Sequence, residues 1–434
     1  MTEVNRELTE NLNNDIRSAP NSAFSFFSER GKRIYFPFKG ILGQSAEAKN
    51  SKINATIGTA SEEDGSPLTL ECIEKLINVS PDFFLYTPSF GLPRLRELWK
   101  EQILKKNPLL EGKNFSIPVV TSALTHGLNI CAYLFVNEND EIIISDLNWD
   151  NYELIFRTAF GAKFTYYETF KNNAYNTDGL IQAIRNSSSA KKIVLLNFPN
   201  NPAGYSLSKA EALKIKEEFL KLAEEGHNIL VIIDDAYFGL FYEDDIFKES
   251  LFSLFADLHK NILAVKIDGP TKEDYVWSFR IGFITFAIKD SNEKQLKAFE
   301  AKAAGAVRAT VSNCSGIAQS MLIKAYQSSD YEKEKNEKFN ILFERYKKVI
   351  DIFRKNPDYL NNFQPMPFNS GYFMCVKPIG VDAEPLREEL LSKYNTGVIV
   401  LSGFMRIAFS SVPLNQLDEL FSNINQAIKN LKKG

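Results

Sequence analysis

The chain has 434 residues, a formal net charge of −3, 44% hydrophobic and 24% charged residues. That is enough for two domains, or for a large domain with a smaller partner, and the balance is that of a globular protein. A slightly negative chain is a poor sequence-blind nucleic-acid binder, which needs a basic face, and no apolar run approaches a membrane span. Cys72, Cys131, Cys314 and Cys375 lie far apart with no CxxC. They read as isolated thiols of a reducing, cytoplasmic compartment. His126, His227 and His259 are too scattered to suggest a metal site. The start, MTEVNRELTE, is acidic and polar, unlike a signal or transit peptide.

In chain order, residues 1–22 are polar and rich in Asn and are expected to form a mobile arm. INATIG (53–58) reads as a short strand closed by Gly58. From about residue 60 to 325, apolar runs of strand length recur at Ile142–Ile144, Ile193–Leu196, Ile229–Ile233, Ile262–Val265 and Ile281–Phe286. Segments of helical periodicity separate several of them. One opens with Ser208 and Glu211 at capping-box spacing and places Ile215, Phe219 and Leu222 on one face. Strands alternating with helices imply a mostly parallel sheet covered on both faces. From about 330 a charged helix is followed by short strands near Gly371–Val376, Gly397–Leu401 and Arg406–Phe409, then a last helix. The expected division is 1–59 as arm and part of a small domain, 60–325 as a large α/β domain, and 326–434 as a smaller α+β domain.

In open α/β sheets, ligands bind beyond the carboxyl ends of the strands. Asn201 in NFPNNPAG follows one predicted strand, Asp234 and Asp235 end the next, and Lys272 follows another. A lysine near a buried acid can be a plain ion pair. It can also bond an aldehyde as a Schiff base, chemistry that needs a carboxylate for a ring nitrogen, donors for a phenolate and a phosphate cradle.

These residues resemble fold-type I pyridoxal-phosphate enzymes, specifically class I aminotransferases of the aspartate/aromatic branch. The likeness runs from about residue 53 to 410. NNPAG (200–204) is similar to the family's Asn-Pro-Thr/His-Gly, with Ala203 departing, and implies that Asn201 donates to the phenolate oxygen. DDAY (234–237) resembles Asp-Glu-x-Tyr, which implies Asp234 on the ring nitrogen and Tyr237 on the phenolate. The same likeness makes Lys272 the imine lysine and proton carrier, and Arg280 in Arg-Ile-Gly a phosphate ligand, with Gly282 allowing close backbone approach. VTSALTHGL (120–128) resembles a loop entering a helix N-terminus, so Ala123, Leu124 and Thr125 would meet the phosphate. DLNWDNY (146–152) resembles the Trp-x-Asn segment, with Trp149 stacking on the ring and Asn151 supporting the phenolate network. YTPSFGLPRLRE (86–97) resembles the segment that lends Tyr86 to a neighbouring subunit's phosphate, and so implies a homodimer with shared active sites. Gly58 matches a turn beside the substrate carboxylate, and Arg406 the arginine that grips it.

One departure stands before the lysine. The family's Ser-x-Ser/Thr-Lys is here Gly269-Pro270-Thr271-Lys272, which shifts the expected phosphate grip toward Thr271, Arg280 and backbone groups. AVRATVSNCSG (306–316) resembles a segment of dicarboxylate-specific and some aromatic-specific members. It implies that Arg308 crosses to a distal substrate carboxylate. The activity implied is ping-pong transfer of an amino group from an L-amino acid, aspartate or another dicarboxylic or aromatic donor, to 2-oxoglutarate. A C–S lyase or aspartate β-decarboxylase shares the cofactor residues. A pyridoxal-binding regulatory module would need a DNA-binding domain, for which the N-terminal arm is too short and not basic.

Overall fold

The computed structural model describes residues 3–17, 32–33, 40–56, 58–77 and 85–433. A seven-stranded sheet is built from β1 Val119–Thr121, β2 Glu141–Ser145, β3 Lys163–Tyr167, β4 Lys191–Asn197, β5 Asn228–Asp234, β6 Ile262–Asp268 and β7 Gly282–Ile288. Their order across the sheet is β1-β7-β6-β5-β4-β2-β3. Strand β7 runs antiparallel to both neighbours, and the other pairs are parallel. The central strands are nearly continuous apolar runs, because helices cover both faces of the sheet. Ile193–Leu196 and Ile229–Ile233 are all buried. The runs anticipated from sequence are these strands, most of them extended by polar residues at their ends. Those ends matter, since Asn197, Asp234 and Asp268 terminate β4, β5 and β6 on the same edge.

The helix Lys209–Glu224 begins with the expected capping box: the Glu211 amide donates to Ser208 Oγ at 3.2 Å and the Ser208 amide to Glu211 Oε2 at 2.8 Å. Its buried stripe includes Ile215, Phe219 and Leu222.

The long helix Tyr331–Lys355 leads into an antiparallel sheet of β8 Phe363–Pro365, β9 Met374–Pro378, β10 Ile399–Leu401 and β11 Phe404–Ile407, in the order β8-β9-β11-β10. Strand β9 starts later than the apolar pattern suggested because Gly371, at φ +72°, still belongs to the turn. Ile53–Asn54 pairs in parallel with Thr396–Gly397, so the segment before the large sheet packs on this smaller unit.

Within the expected arm, Glu3–Arg17 is a helix, with Thr9 and Asn13, one turn apart, buried and Asn13 Nδ2 donating to the Lys32 carbonyl at 3.0 Å. Residues 1–2 and 18–22 of that expectation lie outside the described residues. The four cysteines are buried and unpaired. Among the described residues, no helix is long and apolar enough to cross a membrane.

Candidate active site

Beyond the carboxyl ends of β4, β5 and β6 lies a cavity of about 430 Å³. It gathers Gly58, Ala123, Leu124, Thr125, Trp149, Asn201, Asp234, Tyr237, Thr271, Lys272, Arg280 and Arg406 from across the sequence. Sheet topology explains the convergence: parallel neighbours deliver their ends, and the loops that follow, to one edge. Asn151 does not line the cavity. Tyr86 and Arg308, expected to reach a neighbouring subunit's site, are exposed on this chain: Tyr86 is 94% exposed, and Arg308 donates to Ser312 Oγ at 2.6 Å.

Other lining residues were not anticipated: Ile41, Tyr152, Asn197, Ala236, Trp277 and Phe373. Tyr152 matters most. Its hydroxyl donates to Asp234 Oδ2 at 2.6 Å. The readable signal was its spacing, because Trp149 and Tyr152 are three apart and meet edge-on at 5.5 Å. A π-helical turn, Glu153–Thr158, follows directly, a distortion common beside functional sites. Asn197 was readable as a polar end to an apolar strand. Its Nδ2 donates to the Asp234 carbonyl at 2.9 Å, and its Oδ1 accepts from the Asn201 amide at 2.8 Å. Ile41, from the helix Ile41–Glu47, gave no local signal.

Asp234 is 2% exposed. Burial raises its pKa, while the Tyr152 hydroxyl and the Lys272 ammonium pull the other way. The Ala236 amide donates to Oδ1 at 3.1 Å. Its neighbour Asp235 faces elsewhere, paired with the fully buried Lys266, which also lies 3.1 Å from Asp268. Lys266 therefore sits in an ion-paired cluster and is not among the cavity's lining.

Lys272 has its ammonium 5.2 Å from the Tyr237 ring centre. Burial drives its pKa down to about 8, Asp234 opposing and Arg280 adding to the fall. In the cofactor-free protein the Lys272 amine should thus react with an acylating reagent with a midpoint near pH 8, read by peptide mass. Asp234→Asn removes the charge that favours the ammonium and should lower the midpoint. Arg280→Gln removes a like charge and should raise it. A midpoint that stays fixed in both variants would contradict this electrostatic picture.

The anion end of the cavity is tightly built. Ala123 has φ 63° at the start of the helix Ala123–Phe135, and Arg280 has φ 52° and ψ 49°. Both are non-glycine residues in the left-handed region, where strain usually marks a functional constraint. A Cβ on Gly282 would stand 2.7 Å from the Ala123 carbonyl carbon and 2.9 Å from the Leu124 amide nitrogen, so only glycine lets this strand touch the helix start. The Gly269 departure has a steric reason of the same kind. A Cβ there would lie 2.9 Å from both Gly282 Cα and the Ile281 carbonyl oxygen, and 3.2 Å from Leu124 Cδ1. A serine does not fit, because the two nearest obstacles, Gly282 Cα and the Ile281 carbonyl, are backbone and cannot swing aside. Thr125, Thr271, Arg280 and free helix N–H groups remain to meet an anion.

At the other end Arg406 is 2% exposed. It donates to Asn201 Oδ1 at 3.2 Å and to the Thr56 carbonyl at 2.9 Å, lies 4.3 Å from the Phe373 ring centre, and keeps a buried Nε without a partner. Burial lowers its pKa, and among the described residues no carboxylate forms a salt bridge with it. A buried guanidinium with an orphan N–H calls for an anionic ligand. With its oxygen on Arg406, the Asn201 side chain has its NH₂ left to donate. An acid near a half-buried lysine, an anion cradle, aromatic walls and a second cation suit a planar phosphorylated ring plus a carboxylate-bearing substrate.

The family described as aminotransferase class I and II matches residues 50–424. The aspartate aminotransferase of Bacillus subtilis (strain 168) is 26% identical over 369 residues, 79% of this chain and 84% of that one. A solved aminotransferase of Anaerococcus prevotii has a TM-score of 0.82 at 23% identity, covering 92% of this chain and 98% of its own. The kynurenine aminotransferase of Pyrococcus horikoshii, solved with PMP, KYN and KYA, has a TM-score of 0.77 at 17% identity, covering 94% and 98%.

Proposed function

Because the chain belongs to the class I and II aminotransferase family and is a pyridoxal-phosphate-dependent transaminase, we propose that Lys272 is its reacting lysine and that it moves an amino group from an L-amino acid, aspartate or an aromatic donor, to 2-oxoglutarate. The carrying observation is that one cavity holds both Arg406, buried, with an orphan Nε and no salt-bridged carboxylate among the described residues, and Lys272, whose pKa burial lowers to about 8. Pyridoxal phosphate, when bound, supplies an aldehyde for the lysine and a ring that accepts the electron pair released at the substrate Cα.

The chain's residues do the rest. Thr125, Thr271, Arg280 and the helix N-terminus hold the phosphate. Asp234, oriented by Tyr152 and Asn197, holds the proton at the ring nitrogen. Asn201 and Tyr237 would donate to the cofactor's phenolate oxygen, and Trp149 would meet its ring face. Arg406 would hold the substrate α-carboxylate beside Gly58, in the same cavity as the Lys272 amine. Lys272, whose burial favours the neutral amine, would remove the substrate Cα proton and carry it to the carbon that accepts it across the nitrogen.

The names of relatives such as that from Bacillus subtilis favour a dicarboxylic donor. That reading uses Arg308 of a second copy of the chain for the distal carboxylate, with Tyr86 crossing in the same way in a homodimer. The apolar wall of Ile41, Trp149, Trp277 and Phe373 favours an aromatic donor instead. A donor panel decides. Arg308→Ala should cut kcat/KM for aspartate by roughly 100-fold while sparing tyrosine and phenylalanine. Unchanged aspartate kinetics would remove Arg308 from the site.

A further inference from the structure

Lys272 rides on a turn that is strained and held from behind. Tyr275, three residues on, has φ 58°, and its hydroxyl is buried without a partner. A bulky side chain stays in that region only when its surroundings enforce it. The enforcement comes from Glu273 and Asp274, 5% and 0% exposed, neither of which lines the catalytic cavity. Glu273 accepts from Lys106 Nζ at 2.8 Å and from Lys335 Nζ at 2.8 Å. Asp274 accepts from Tyr331 Oη at 2.7 Å and Tyr326 Oη at 3.0 Å, and lies 2.8 Å from Lys335. The Glu273 carboxylate also abuts Gly239, two residues past Tyr237, where a Cβ would meet Oε2 at 3.0 Å. On the opposite side, Tyr372 Oη donates to the Lys272 carbonyl at 2.7 Å.

Lys335 is thus shared by both carboxylates that the turn carries after Lys272, and it belongs to the helix Tyr331–Lys355. We propose that Lys335 is a positioning residue for Lys272: by bridging Glu273 and Asp274 it fixes the strained turn that presents the amine, and it makes that placement depend on the helix Tyr331–Lys355. Burial alone pushes the Glu273 carboxyl up, but Lys106 and Lys335 outweigh it and hold it down at about 2, so the bridge stays charged at working pH. Small displacements of a reacting group are costly in rate even when binding is intact. The inference rests on Lys272 being the reacting lysine.

The test uses the holoenzyme and the variants Lys335→Met, Lys335→Arg and Tyr331→Phe. Borohydride trapping and peptide mass first establish which lysine bonds the cofactor. Trapping at another lysine sinks the assignment of Lys272 itself. With Lys272 trapped throughout, Lys335→Met should lose kcat roughly 10- to 100-fold with KM within about twofold, and weaken the visible circular dichroism of the bound cofactor. Lys335→Arg should restore most of kcat and the dichroism. Tyr331→Phe, which keeps the ring packing, should shift both in the same direction by a smaller factor. Wild-type kcat and dichroism in Lys335→Met overturn the proposal. If that variant does not fold, wild-type values in Tyr331→Phe overturn it instead.

Discussion

Lys272→Ala is expected to lower turnover by at least about 10⁴-fold, because it deletes both the amine that bonds the cofactor and the base that moves the proton. Two outcomes should accompany the loss. Dialysis should strip pyridoxal phosphate from the variant much faster than from the parent, since only the phosphate grip and ring contacts remain. Folding should be little changed, because the amine sits in a cavity and the turn is held through Tyr372, Glu273 and Asp274, which the substitution leaves in place. Added ethylamine should recover a small part of the rate by standing in for the amine. Lys266 cannot replace it: it is fully buried and paired with Asp235 and Asp268. A Lys272→Ala protein with near-parental turnover would overturn the assignment.

Gly204→Ala should be severely destabilising. Gly204 has φ +71°, and a Cβ there would lie 1.7 Å from the Phe373 carbonyl oxygen and 3.0 Å from that of Ser370. Both obstacles are backbone, so neither can swing aside as a flexible side chain would. The Gly204 carbonyl meanwhile accepts from the Asn369 and Ser370 amides at 2.9 Å each, tying the loop after β4 to the strand-bearing segment that leads into β9. Separating these backbones should cost at least about 3 kcal/mol, read from the urea midpoint. It should also move Phe373, which lines the cavity, and so raise KM. Gly226→Ala is the fitting control, because Gly226 has φ +97° with nothing within 4 Å of its Cβ position. It should show conformational strain alone, about 1–2 kcal/mol. Equal losses in the two variants would mean that the contact with Phe373 is relieved at no cost.

Much of this architecture was legible in one dimension. Apolar runs such as KIVLL and ILVII can be satisfied only inside a covered parallel sheet, and the capping box at Ser208 and Glu211 marks a helix start by local hydrogen bonding alone. The candidate residues Asn201, Asp234 and Lys272 stood out because polar residues directly after such runs must fall on one edge of the sheet. The π-helical turn after Tyr152 was not legible, since it depends on how that segment packs rather than on its own propensities. Nor was the helix Glu3–Arg17, whose polar composition reads as a solvated arm until Thr9 and Asn13 are seen to be buried.

What the sequence determined by itself was the alternation of strands and helices and the identity of the groups at the strand ends, because both follow from local periodicity and residue chemistry. The tertiary structure alone decided which groups meet. It put Tyr152 rather than Asn151 at the cavity, on Asp234, and sent Asp235 to Lys266. It closed the position of the missing serine with Gly282, Ile281 and Leu124 against Gly269. It also backed Lys272 with a helix that begins some sixty residues later in the chain, at Tyr331. Those outcomes depend on differences of a few tenths of an ångström in the spacing of segments remote in sequence, and close packing sets such spacings only once the whole chain has folded.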